Sequence, residues 1–173
     1  MDSLRPASPH VDPSAFVAPG ARIYGDVVIG PEAVIMFGAV LRAEMDRVSV
    51  GARSNVQDNC LFHSDHGLPC TVGEETTVGH GAIVHGATVG DHCLIGIGAR
   101  VLNRAVVGEG AWVAAGSLVA EGKEIPPWTL AVGTPARPLR DLTDDEVARQ
   151  RSGVADYLAL AAAYRQGIFG RDR

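Results

Sequence analysis

Three histidines in this chain have the type and spacing to do chemistry. His80 and His85 stand five residues apart in V-G-H-G-A-I-V-H-G-A-T-V-G (78–90), and His63 closes the run L-F-H (61–63) upstream. A neutral imidazole offers one ring nitrogen to a divalent metal. Three such ligands around an open fourth position make a catalytic rather than a structural metal site. A metal held that way lowers the pKa of a bound water from about 15.7 to about 7 and supplies hydroxide near neutral pH. The elements that carry the three rings decide whether they can meet.

Those elements follow from a period of six. Aliphatic residues recur at Val11, Val17, Ile23, Ile29, Ile35 and Leu41, then at Val50, Val56 and Phe62. After the break S-D-H-G-L-P-C-T (64–71) the series resumes at Val72, Val78 and Val84, slips by one residue, and runs from Val89 through Ile95, Val101, Val107, Val113 and Val119 to Ile125. The fifth residue of most units is small, as at Ala33, Ala39, Cys60, Ala82, Cys93 and Ala99, and glycine often takes the second or fourth place. Six fits neither a helix of 3.6 nor a lone strand of two. It fits a short flat strand and a tight corner, wound three sides to a coil, with the aliphatic inside and glycine supplying corners of positive φ. A set of ordinary hairpins would not hold one period over so many units. The pattern resembles the hexapeptide repeat of left-handed parallel β-helices over residues 11–138. The reading is an all-β left-handed parallel β-helix, a three-sided prism, over residues 1–140. A C-terminal helix over 141–173 lies along its outside.

The helix begins at a capping box, Thr143 with Glu146. It runs to about Gln166 with Val147, Val154, Leu158, Ala161 and Ala162 as its apolar stripe, and Gly153 is a weak point within it. A short basic tail follows.

Counting units around the prism places the histidines. The units at Ile23, Leu41, Phe62, Val84 and Val101 fall on one side, and those at Val17, Ile35, Val56, Val78 and Ile95 on another. His63 and His85 both take second place in their units, on one side, one coil apart. Adjacent parallel strands lie about 4.8 Å apart, so the two rings can share one ion. His80 is third in the Val78 unit, on a different side. It reaches the same ion only if prisms pack side against side about a three-fold axis, so the register predicts a homotrimer with metal sites shared between subunits. Arg42 lies one coil below His63, with Glu44 two residues on. Gln57 and Asp58 lie one coil below His80. Arg42 and Glu44 read as an intersubunit ion pair, as a means of orienting an anion or reacting water, or as both.

Composition sets the outer bounds. The chain has 173 residues and a net charge of −5, which excludes a broad basic field for nucleic acid. No apolar run approaches the roughly 18 residues of a membrane span, and M-D-S-L-R-P-A-S-P-H lacks a signal core. The expectation is a cytoplasmic protein with no membrane partner. The three cysteines, Cys60, Cys70 and Cys93, show no C-x-x-C and are expected as reduced thiols.

The segments L-R-A-E (41–44), N-V-Q-D-N-C (55–60), L-F-H (61–63), V-G-H-G-A-I-V-H-G (78–86) and V-G-T-P-A-R (132–137), with the C-terminal helix, resemble γ-class carbonic anhydrase-like proteins. The resemblance implies a zinc site (iron or cobalt as alternatives) held by His63 and His85 of one subunit and His80 of the next. It implies reversible hydration of CO2 to bicarbonate. It matches Arg42 to the family's arginine, Gln57 to the glutamine beside the reacting water, and Asn55 and Asp58 to the Asn-x-Gln-Asp motif. Two departures bear on turnover. Glu44 stands where the family has Asp, and Met45 stands where active members carry a proton-transferring acid. The loop after His63 is short, leaving His66 as the best proton carrier and Asp65 as the second. A metal-dependent thioesterase of the same family and a hexapeptide acyltransferase are the rival readings.

Overall fold

The computed structural model describes residues 7–170, so M-D-S-L-R-P (1–6) and the terminal R-D-R (171–173) fall outside it. The architecture is the expected left-handed parallel β-helix of three faces with one C-terminal α-helix. The first face stacks the start of Arg22–Ile29, the start of Val40–Val50, Leu61–His63, Ile83–His85, Arg100–Val101 and Leu118–Val119, all parallel. The second stacks Phe16–Val17, Val34–Ile35, Asn55–Val56, Thr77–Val78, Leu94–Ile95, Trp112–Val113 and Thr129–Gly133. The third is closed by the ends of the two long strands, which bend around a corner, and by Cys70–Val72, Thr88–Val89 and their successors. The break at 64–71 bulges out as a turn from Asp65 to Leu68, and the order of faces is kept across it.

The interior is filled by the first-place aliphatics, among them Ile35, Leu41, Val56, Phe62, Val78 and Val84, each with no exposed surface. The first coil departs from this: Val11 and Ile23 are only partly buried, and Val17 is the most exposed of the three. It is 37% exposed because it belongs to the lowest coil, which has no earlier coil beneath it on that face. Small fifth residues such as Ala39, Ala82 and Ala99 sit wholly buried at the corners. The cysteines are free and buried in separate places in this core. Burial pushes the Cys60 thiol up to about 11 and the Cys70 and Cys93 thiols up to about 12.

Glycine serves the coil in two ways, of which the sequence reading named one. Fourth-place residues adopt positive φ, as at Gly81 (67°) and Gly98 (66°), and Asn59 (59°) takes the same conformation. Second-place glycines have another reason. A Cβ on Gly79 would lie 2.8 Å from the Ile97 nitrogen, so the next coil's backbone leaves no room for a side chain.

The coil ends in a hairpin absent from the repeat pattern. Thr129–Gly133 pairs antiparallel with Ala136–Asp141, which covers the last edge of the second face. Helix α1 (Asp144–Arg165) follows, with Thr143 as N-cap and the reciprocal Thr143–Glu146 capping box. It lies along the outside of the second face. Its packed line is Gln150, Val154, Tyr157, Leu158, Ala161 and Tyr164, so Val154, Leu158 and Ala161 of the predicted stripe face the coil, while Val147 is only partly buried and Ala162 is exposed. The difference arises from Gln150, whose side-chain amide donates to the carbonyls of Glu75 and Cys93 at 2.8 and 3.1 Å and so fixes the rotation of the helix. Tyr164 then packs on Phe16 and Phe37. Among the described residues no helix is long and apolar enough to cross a membrane.

Gly153 lies mid-helix with open space where a Cβ would sit. Gly153→Ala is therefore expected to stabilise the protein by about 0.5–1 kcal/mol, through the lower backbone entropy of the unfolded chain. Urea unfolding at fixed protein concentration checks this.

Candidate metal centre

Three strands of the first face carry the centre. Arg42, His63 and His85 stand in direct register on adjacent parallel strands. Alternation buries Leu41, Phe62 and Val84 inside the coil and turns these three side chains outward. The two imidazoles face each other, with His63 Nδ1 and His85 Nε2 3.0 Å apart and ring centroids 5.0 Å apart.

His63 is only 8% exposed, although it points out of the coil, because Glu44 and His85 close over it. Burial lowers its pKa, and the Arg42 charge and His85 push the same way, so the ring is held neutral. Its Nε2 is buried without a hydrogen-bond partner, 3.6 Å from Glu44 Oε2, which is itself unpartnered. The other Glu44 oxygen accepts from Arg42 Nη1 at 2.8 Å. Burial alone would raise the Glu44 pKa. The hydrogen bond and charge of Arg42, with the backbone, outweigh that and hold the carboxyl below its ordinary value. The Arg42–Glu44 pair thus forms within one chain.

His80 lies on the second face, away from the pair. Its Nδ1 meets Asp58 Oδ2 at 2.9 Å and its Nε2 meets the Tyr157 hydroxyl at 3.3 Å. A carboxylate only accepts, so Nδ1 donates to Asp58, and in the neutral ring Nε2 is left to accept from the Tyr157 hydroxyl. Gln57 is buried beside it. Its Oε1 accepts from the His80 backbone at 3.2 Å, and its Nε2 donates to Asn55 Oδ1 at 3.1 Å. Asn55 in turn donates to Thr77 Oγ1 at 2.9 Å. Arg42, Glu44, His63 and His85 are therefore gathered on one face, and Asn55, Gln57, Asp58 and His80 on the other. His66 stands exposed on the turn and makes no hydrogen bond or ion pair with His63 or His85 among the described residues.

Two residues of this region, Asn103 and Tyr157, went unread in the sequence. Asn103 Oδ1 lies 2.7 Å from His85 Nδ1, and its amide donates to Asp65 Oδ2 at 2.8 Å. Gly86 leaves space for that carboxamide. Register could have found Asn103, which is third in the Val101 unit, one coil above Gly86. Tyr157 depends on how α1 is rotated, for which the sequence carried no signal.

The donor set fits a metal. His63, Asp65 and His85 offer ligand atoms that all lie within 4.8 Å of one another. A buried neutral imidazole with one nitrogen unpartnered and the other facing a second imidazole gains from a shared cation.

The chain is similar to the carbonic anhydrase of Geobacillus kaustophilus, at 42% identity over 158 residues that cover 91% of this chain and 87% of that protein. It is also similar to gamma carbonic anhydrase 1, mitochondrial, of Arabidopsis thaliana, at 44% identity over 163 residues. That match covers 91% of this chain but 59% of the plant protein, so the chain spans about three fifths of that relative's length. Among solved structures, a hexapeptide transferase family protein from Anaplasma phagocytophilum matches with a TM-score of 0.88 at 40% identity, over 95% of this chain and 99% of that one. No family model matches the chain.

Proposed function

The chain belongs to the γ-class carbonic anhydrase family, and from that membership we propose that it catalyses the reversible hydration of CO2 to bicarbonate in the cytoplasm. The site is completed between subunits of a homotrimer. His63 and His85 come from one subunit and His80 from its partner, around zinc (iron or cobalt as alternatives). The observation that carries this reading is the His63–His85 pair, 3.0 Å apart in register, with His63 Nε2 buried and without a hydrogen-bond partner among the described residues.

When bound, such an ion supplies Lewis acidity that brings the pKa of water from about 15.7 to about 7. The protein's own groups do the rest. Gln57, clamped by Asn55 and the His80 backbone, keeps one amide hydrogen free to aim the reacting water. Asp58 accepts from His80 Nδ1 and so fixes the orientation of the ring, leaving Nε2 as the ligand atom of the neutral imidazole. Arg42, about half exposed and steadied by Glu44, presents a cation to the bicarbonate product. Proton export falls to His66, which is exposed beside the site, because Asp65 already accepts from Asn103.

With Met45 in place of an acid, proton transfer should limit the rate. Stopped-flow CO2 hydration is expected to be slow in dilute buffer and to rise with added imidazole. His66→Ala is expected to deepen that dependence and Met45→Glu to relieve it. A fast rate, indifferent to buffer and unchanged in His66→Ala, would refute this account of proton export.

A second reading has one observation in its favour. A largely apolar groove of about 490 Å³ runs beside Gln57, between Trp112 and Leu94 on the second face and Arg149 on α1. It has room for an acyl chain, so the same activated water could attack a thioester. Assaying acyl-CoA hydrolysis alongside CO2 hydration on the same metal-loaded protein decides between the two.

A further inference from the structure

Asn103 joins three successive coils. Its carboxamide reaches His85 on the coil below and Asp65 on the turn after His63. The Asp65 carboxylate fixes which way that carboxamide faces. A carboxylate only accepts hydrogen bonds, so the group 2.8 Å from Asp65 Oδ2 is the Asn103 amide nitrogen. The Asn103 oxygen therefore faces His85 Nδ1 at 2.7 Å. A carbonyl oxygen also only accepts, so His85 Nδ1 carries the proton. A neutral imidazole has one N–H. Its Nε2 is then a bare lone pair, the one directed at His63 across 3.0 Å.

We propose that Asn103, oriented by Asp65, is a positioning residue that locks His85 in its Nδ1–H form and so presents Nε2 to the metal. The inference rests on the metal site proposed above, but the hydrogen-bond geometry behind it is complete without metal. The local backbone is shaped for this contact. The unit from Val84 to Val89 is one residue short, which leaves Gly86 alone at the corner after His85. A Cβ on Gly86 would collide with Asn103 Oδ1 and come within 3.2 Å of the Leu68 side chain. Ligand histidines commonly donate their second N–H to an oxygen that fixes tautomer and ring angle, and loss of that oxygen weakens metal binding 10–100-fold. His80 receives the same treatment directly from Asp58.

The test begins with metal-free wild-type chain, using nitrogen-15 NMR of the histidine rings at a pH well above the imidazole range. His85 is expected wholly as the Nδ1–H tautomer. Asp65→Asn, which frees the carboxamide to turn over, is expected to populate the Nε2–H form. In Asn103→Ala, zinc affinity measured by chelator competition is expected to fall about 10–100-fold, while the melting temperature of the metal-free protein stays close to wild type. An Nε2–H tautomer in wild type, or wild-type zinc affinity in Asn103→Ala, overturns the proposal. Should Asn103→Ala fail to fold, the wild-type and Asp65→Asn spectra still decide. A wild-type chain that has the Nδ1–H tautomer yet binds no zinc counts against the proposed function and leaves the role of Asn103 standing as an orienting contact.

Discussion

His85→Ala is expected to lose its metal, and CO2 hydration with it. Wild-type protein should carry close to one divalent ion per subunit. His85 and His63 face each other at 3.0 Å, and no other imidazole lies on their face among the described residues. Removing an outer residue that merely orients a ligand costs roughly 10–100-fold in affinity, so removing a ligand should cost more. His63→Ala should behave alike, because His63 Nε2 has no protein hydrogen bond to anchor it elsewhere. Elemental analysis after dialysis against a weak chelator reads the outcome. Full metal retention in both variants would remove the basis of the site.

The largest expected effect on stability lies one residue away. Phe62→Ala should destabilise the protein by about 3–5 kcal/mol, the usual cost of truncating a fully buried aromatic. Phe62 is the largest wholly buried side chain, and it sits between Leu41 and Val84 on the strands that carry Arg42 and His85. A coil interior is enclosed on three faces and cannot collapse around the void without breaking its ladders, which favours the upper end of that range. Unfolding must be compared at equal protein concentration if subunit assembly contributes. A loss below about 1 kcal/mol would mean that Phe62 does not fill the interior.

Much of the fold was readable because the signal is local and repetitive. Each aliphatic in the series marks one strand, and counting them fixes which strands are neighbours. The register of His63 on His85, and of Arg42 on His63, followed from that count alone. So did the helix start, since Thr143 and Glu146 satisfy each other within one turn. What escaped depends on reach rather than on period. Asn103 looks like any corner asparagine until the missing residue after Gly86 brings its carboxamide to His85. Gln150 reads as a polar helix residue, yet it is buried and donates to the Glu75 carbonyl and to the Cys93 carbonyl, which also accepts from the Thr77 N–H. Tyr157 meets His80 only because that docking sets the rotation of α1. The hairpin at Thr129–Asp141 lies where the repeat ends, so periodicity is silent there. The Arg42–Glu44 pair, weighed as a contact between subunits, forms within the chain because the two outward-facing side chains are neighbours on one strand.

The central claim is that His80 meets His63 and His85 only across subunits. Mixed assembly tests it most directly. Two variants are prepared, His80→Ala and the double variant His63→Ala/His85→Ala, and neither homotrimer holds a complete site. Denatured together in equal amounts and refolded, they should form mixed trimers in about three quarters of cases, each with one complete junction of three, so that about one quarter of the sites are restored. Metal content and CO2 hydration should return to about that fraction of wild type. If native mass spectrometry confirms mixing and neither metal nor activity returns, the three histidines do not converge at a subunit interface and the proposed site is wrong.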